Sequence, residues 1–331
     1  MRVLFIGGTG TISSACSRRA AARGIELFLL NRGQTERPIP PEARVLLGDI
    51  REPASVRRAL GDMTFDAVVD WVAFTPEHVE ADLDLFRGRT GQYVFISTAS
   101  AYAKPLPGLP ITESTPLRNP FWAYSRAKIA CEERLTRAYR EEGFPVTVVR
   151  PSHTYDRTRL PFFGSYTVVD RMRRGLPVVV HGDGSSLWVL THHEDFAKGF
   201  VGLLGNPRAL GEAFHITSDE WLTWDDIFRT VARAAGADEP RLVHVASEVI
   251  ASYDAEWGAG LLGDKTHSVV FDNTKIKRLV PDFVCTIPYA EGARQVMEWF
   301  DADPARRQVD EAANALFERI IAEWGVERRE R

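Results

Sequence analysis

The chain is 331 residues long, 44% hydrophobic and 26% charged, with a formal net charge of −4. That length leaves room for one large α/β unit with an appended lobe, or for two domains sharing a cleft. The slightly acidic balance argues against a dedicated nucleic-acid binder, which carries a basic excess.

Cys16, Cys131 and Cys285 are far apart and odd in number, so they suggest neither a metal site nor a disulfide framework. Arg2-Val3-Leu4-Phe5-Ile6 reads directly as a strand rather than a leader, and no apolar run reaches the ~20 residues that span a bilayer. A cytoplasmic protein without metal, membrane or nucleic-acid partners is expected.

The first half alternates short apolar runs with helical patterns, the signature of a parallel sheet. Strands are predicted over residues 3–6, 26–30, 44–47, 67–70, 93–97 and 146–150, with helices over 12–23, 54–60, 77–86 and 123–142. Leu27-Phe28-Leu29-Leu30 and Val146-Thr147-Val148-Val149 have the nearly continuous apolar character of strands buried on both faces. After Pro151 the rhythm becomes uneven: helices over 163–174, 194–204 and 224–235, strands over 178–181 and 213–217. Residues 245–272 give no clear pattern, and 308–324 form a helix with a stripe of Val309, Ala312, Leu316, Ile320 and Trp324. The fold class is therefore α/β: a Rossmann-type doubly wound parallel sheet over 1–160, then a smaller C-terminal α/β substrate lobe over 161–331, with some segments returning to the core.

Between the first strand and helix lies Gly7-Gly8-Thr9-Gly10-Thr11-Ile12-Ser13. Glycines let a pyrophosphate approach backbone N–H groups at a helix N-terminus, and the strand–turn–helix context gives the motif its weight. Gly7, Thr9, Gly10, Thr11 and Ile12 are thus candidate cofactor contacts. An acid that binds the ribose hydroxyls of NAD sits ~20 residues after such a turn. Asn31 and Arg32 occupy that slot, and an arginine suits a 2′-phosphate, so NAD(P) is expected with NADP favoured over NAD. Asp49, in Gly48-Asp49-Ile50, is placed to accept from the adenine amino group.

Tyr124-Ser125-Arg126-Ala127-Lys128 puts a phenol and an ammonium on one helix face. A nearby cation stabilises phenolate and lowers the tyrosine pKa toward neutrality. The fifth strand delivers Ser97-Thr98-Ala99-Ser100-Ala101-Tyr102 to the sheet edge where ligands bind in α/β folds, so Thr98 can hydrogen-bond the same substrate oxygen.

The glycine turn, Gly48-Asp49-Ile50, the segment 97–102, Tyr124-x-x-x-Lys128 and Val149-Arg150-Pro151 follow the order and spacing of the extended short-chain dehydrogenase/reductases. The chain resembles this NAD-dependent epimerase/dehydratase family specifically over residues 1 to about 160, and more loosely to about 300. The resemblance implies that Tyr124 is the acid/base, that Lys128 holds the nicotinamide ribose, and that Thr98 orients the substrate. It places Pro151 and Ser152 by the nicotinamide, Val72, Ala73 and Phe74 along the cofactor, and Ile50 and Ser97 among its contacts. It also implies a homodimer pairing through the helices over 77–86 and 123–142.

Several positions depart from the family pattern. Ser13 stands where a third glycine is common, and Ala99 and Ser100 replace the acidic pair with which sugar 4,6-dehydratases perform elimination. His153 replaces a frequent asparagine, and with Ser100 and Trp188 it is a candidate substrate contact. His192 and His193 fit structural hydrogen bonds better than metal binding. Trp71, Phe74, Phe121, Trp122, Phe163 and Trp188 are candidates for an apolar cleft wall. The leading expectation is an oxidoreductase or epimerase acting on a sugar or nucleotide-sugar. Alternatives are an NADPH-dependent reductase of a non-sugar ketone, or a non-catalytic nucleotide-sensing or RNA-binding relative of the plastid branch, which tends to lack the complete Tyr-x-x-x-Lys kept here.

Overall fold

The computed structural model describes residues 1–34 and 37–325. Its centre is a seven-stranded sheet in which every pairing is parallel. The chain runs β1 (Arg2–Ile6), α1 (Ser13–Ala22), β2 (Glu26–Asn31), β3 (Arg44–Leu47), α2 (Pro53–Leu60), β4 (Ala67–Asp70), α3 (Pro76–Phe86), β5 (Tyr93–Ile96), α4 (Ala123–Glu142) and β6 (Val146–Pro151). Each agrees with the sequence expectation to within a residue.

The strand period of two sorts side chains between the faces. Val3, Phe5, Leu27, Leu29 and Val69 pack with Ala15, Cys16 and Ala20 of α1. Leu4, Ile6, Phe28, Leu30 and Val68 pack instead with Val56, Leu83 and Leu135 of α2, α3 and α4.

Past Pro151 the chain leaves the sheet and returns to it. The lobe is built from β7 (His153–Tyr155), α5 (Tyr166–Arg173), β8 (Val178–His181), β9 (Leu187–Trp188) and β10 (Leu190–His192). Next, α6 (His193–Leu203) packs on α1, and β11 (Ala213–Ile216) adds the seventh strand beside β6. The rest comprises β12 (Leu222–Thr223), α7 (Trp224–Ala234), β13 (Leu242–Val245), α8 (Ser247–Tyr253), α9 (Ala255–Gly260), a π turn (Leu261–Lys265), α10 (Thr274–Leu279), α11 (Tyr289–Asp301) and α12 (Glu311–Trp324). The pairs β7–β10, β9–β12 and β8–β13 are two-stranded. Strands of two or three residues carry no readable periodicity, which is why sequence missed most of them.

The α12 stripe agrees with expectation at Leu316 and Ile320 and differs elsewhere. Ala313, Phe317 and Ile320 are buried, while Ala312 is exposed. Contacts with Phe163 and Trp257 inside the lobe choose this face.

From β1 the chain steps outward to β2 and β3, then jumps to β4 and continues the other way. Beyond the C-terminal ends of β1 and β4 this reversal opens a crevice, where α/β proteins bind ligands. One buried ion pair braces its far wall. Arg150 of β6 donates through Nε to Glu132 Oε1 of α4 at 3.0 Å and through Nη2 to Oε2 at 2.5 Å, and the Ser97 hydroxyl donates to the same carboxylate. Leu at position 132 strands the guanidinium, so Glu132→Leu should cost about 3–5 kcal/mol in urea denaturation. Glu132→Leu with Arg150→Met should recover most of that loss, because it removes both charges together.

Candidate active site

The glycine turn is held in a conformation only glycine takes freely. Gly7 and Gly8 have φ of +100° and +93°, and a Cβ on Gly8 would stand 2.7 Å from Leu29 Cδ2. Ser13, in the third-glycine position, helps lock the turn: its Oγ accepts from Gly10 N–H at 2.8 Å. The Ser17 hydroxyl donates to Gly8 O at 2.8 Å, and His193 Nδ1 meets Thr11 O at 2.8 Å. His192 Nδ1 accepts from Glu194 N–H at 3.3 Å. Both histidines tie α6 to its surroundings.

From this turn a cavity of about 720 Å³ runs to Tyr124 and Lys128, with Thr9, Ile12 and Ile50 along its wall. At its adenosine end Asn31 Oδ1 accepts from Gly33 N–H at 3.0 Å, while Asn31 Nδ2 is buried without a partner among the described residues. An unmet buried donor is costly unless a ligand accepts from it. Arg32 is largely exposed, with Nη1 4.0 Å from Asp49 Oδ2. Arg51, missed in the sequence reading, lines the same end and donates to Val72 O. A glycine cradle, a free amide donor and two guanidinium groups suit a dinucleotide. Trp71, Phe74, Ser97 and Pro151 complete the wall.

At the other end Lys128 is 2% exposed and donates through Nζ to Ala73 O at 2.6 Å and Ile96 O at 2.7 Å. Burial pushes its pKa down to about 8, against the opposing pull of the Asp70 carboxylate. Tyr124 is raised above the ordinary phenol range by burial, with the Thr98 hydroxyl opposing the shift. The expected lowering by Lys128 is therefore absent. Its Nζ lies 5.9 Å from the Tyr124 ring centre and is turned onto two carbonyls.

Tyr124 and Pro151 also border a second cavity of about 510 Å³, whose wall adds Thr98, Ser100, Ser152 and His153. The Ser100 hydroxyl bridges Thr98 Oγ1 at 3.0 Å and Ser125 Oγ at 2.7 Å. Asn119 was also missed. Buried, it donates to Ser100 O at 2.8 Å and Gly263 O at 2.6 Å, and its Oδ1 accepts from Trp122 N–H at 3.0 Å. It thus ties the Thr98 loop, the start of α4 and the π turn together. The only available signal was an Asn-Pro pair shortly before a helix.

Beyond His153 a third cavity of about 570 Å³ is lined by Trp122, Phe162, Phe163, Trp257 and Phe317. Phe163 stacks on Trp257 with centroids 4.4 Å apart. Arg159 and Lys265 face both cavities and form no ion pair among the described residues. Two expected wall residues lie elsewhere. Phe121 is exposed, and Trp188 is buried behind His153, its ring centre 6.3 Å away and edge-on.

Burial, together with Lys265 and Arg159, lowers the His153 pKa to about 3. Burial likewise lowers His181 and His192 to about 4. An unfolded histidine titrates near pH 6.5. Between these values the unfolded chain binds more protons, so stability is lost as pH falls. Urea midpoints should drop between about pH 7 and about pH 4.5, and His153→Gln should make the drop shallower.

The description of the NAD dependent epimerase/dehydratase family matches residues 3–217. The chain is 27% identical to the chloroplast stem-loop binding protein of 41 kDa b of Arabidopsis thaliana over 73% of its own length and 65% of that protein's, so it spans just under two thirds of that relative. It is 26% identical to the 2′-dehydrokanamycin reductase of Streptomyces kanamyceticus, covering 86% of this chain and 80% of the reductase. The Thermus thermophilus UDP-glucose 4-epimerase, solved in complex with NAD, superposes with a TM-score of 0.69 at 21% identity, over 91% of this chain and 99% of that one. With the family's pattern matched over 215 of its 331 residues, the chain belongs to the NAD-dependent epimerase/dehydratase family.

Proposed function

We propose that this protein is an NAD(P)-dependent oxidoreductase or epimerase acting on a sugar or nucleotide-sugar. The observation that carries the reading is that Tyr124 stands where the dinucleotide-sized cleft meets the second cavity, with Thr98 beside it and Lys128 one helical turn on. When bound, the nicotinamide exchanges a hydride with the substrate carbinol carbon. Tyr124 takes the proton from the substrate hydroxyl, or returns it to the carbonyl oxygen, and Thr98 hydrogen-bonds that oxygen. Lys128 holds the cofactor ribose. Burial raises Tyr124 above the ordinary phenol range, which favours the protonated form that a carbonyl reduction draws on.

The second and third cavities receive the rest of the substrate. Arg159 and Lys265 suit an anionic group such as a diphosphate, with a planar ring among the aromatic side chains beyond. No carboxyl group occupies Ala99 or Ser100, which favours epimerisation or simple carbonyl reduction over dehydration. The aromatic cavity favours, as a second reading, an NADPH-dependent reductase of a non-sugar ketone, and one relative is named a reductase. Cofactor retained through purification supports the epimerase cycle, and freely exchanging cofactor the reductase. The reading places the protein in the cytoplasm as a dimer paired through α3 and α4. Among the described residues, no helix is long and apolar enough to cross a membrane.

Tyr124→Phe should retain NADPH binding but lower turnover on UDP-hexoses or keto-sugars by about 100-fold or more. Full turnover in that variant rejects the assignment. Arg32→Ala should raise the NADPH dissociation constant about 10-fold and leave NADH nearly unchanged, as read by nucleotide fluorescence. Equal effects on both nucleotides argue against an NADP preference.

A further inference from the structure

Beneath the loop that carries Val72 and Ala73 lie two neighbouring carboxyl groups, and neither forms an ion pair among the described residues. Asp70 ends β4 and Asp82 lies on α3, at 0% and 1% exposure. Asp70 Oδ1 accepts from Val72 N–H at 2.5 Å and Ala73 N–H at 2.9 Å. Asp82 Oδ2 accepts from the Tyr93 hydroxyl at 2.5 Å. The remaining oxygens, Asp70 Oδ2 and Asp82 Oδ1, are buried without a hydrogen-bond partner among the described residues, and the two carboxyl groups are neighbours.

Two buried carboxylates in contact do not both ionise. One shared proton turns the two orphan oxygens into donor and acceptor, leaving a single negative charge on the pair. Burial and the neighbouring Asp70 charge hold the Asp82 carboxyl well above its usual range, in keeping with that arrangement. Tyr93 faces the pair from β5, His78 from α3, Lys128 and Cys131 from α4, and Arg51 from beyond β3, while Glu132 of α4 also faces Lys128. The same peptide unit serves both sides of the site: Asp70 accepts from Ala73 N–H, and Lys128 donates to Ala73 O.

We propose that Asp70 and Asp82 are positioning residues acting as one proton-sharing unit, whose single negative charge keeps the Lys128 ammonium charged and in place at the nicotinamide end of the cleft. This rests on the reading of Lys128 as a cofactor-binding group. The pair makes an unusual demand on substitution. In Asp70→Asn the amide oxygen still serves Val72 and Ala73, and its NH2 donates to an ionised Asp82. In Asp82→Asn the NH2 donates to an ionised Asp70, and the amide oxygen accepts from Tyr93. Each single variant keeps one charge and a complete set of hydrogen bonds. Only the double variant loses the charge.

The test is fluorescence titration of the full chain with NADPH, and with NADH alongside. Both single variants should bind within about 3-fold of the parent protein. The double variant should bind about 10-fold or more weakly, with its affinity falling at lower pH than in the parent. Single variants as weak as the double overturn the proposal, as does a double variant that binds like the parent. Lys128→Met separates the two levels: unchanged affinity there rejects the cofactor role of Lys128, whatever the pair does. Infrared spectroscopy covers the case of a double variant that does not fold. The parent should show a protonated carboxyl stretch that both single variants lack, and a parent without it overturns the proposal.

Discussion

The site depends on a buried ammonium. Lys128 sits on α4, yet it donates to carbonyls that follow β4 and end β5. It therefore fixes the helix carrying Tyr124 against two strand ends of the sheet. Carrying a charge into a low-dielectric interior is unfavourable unless the charge is paired and hydrogen-bonded. The surrounding groups meet that need: two carbonyl acceptors, the faces of Phe74 and Phe95 at 4.7 and 4.8 Å, and the Asp70 carboxylate behind the loop. The cost of burying the cation explains why so many neighbouring groups are devoted to it.

A second network joins this assembly to the lobe. Asn119 bonds Ser100, the N-terminal end of α4 and the π turn, so loops distant in sequence form one wall. Mid-helix π geometry is uncommon and is often found at functional sites. Here it brings Asp264 and Lys265 to the cavity that holds Thr98 and His153. The wall of this cavity is thus shared between the two halves of the chain. There His153, held well below the ordinary imidazole range by burial, lies between two cations and an aromatic cavity.

Local sequence made the first half readable because its physics is local. Parallel strands buried on both faces appear as apolar runs, amphipathic helices appear between them, and a glycine turn at a strand–helix junction has few other uses. The same locality exposed Tyr124, Lys128 and Thr98. It gave no sign of Arg51, Asn119, or the partnership of Asp70 with Asp82, because each acquires its role through residues brought near by folding. The α12 stripe was only partly legible for the same reason: Ile320 and Leu316 pack inward as expected, but Ala312 and Trp324 are exposed and Ala313 and Phe317 are buried instead.

By itself the sequence determined the Rossmann-type α/β class, the order of the first six strands, the glycine turn and the placing of Thr98, Tyr124 and Lys128 at one sheet edge. Each is encoded by short-range periodicity, backbone permissiveness or helix spacing. Tertiary structure alone decided that β11 closes the sheet beside β6 and that the Lys128 charge is spent on backbone carbonyls rather than on the Tyr124 phenol. It also decided that Trp188 lies behind the cleft wall. These outcomes depend on burial and on distances between remote segments, which no local pattern in the chain records.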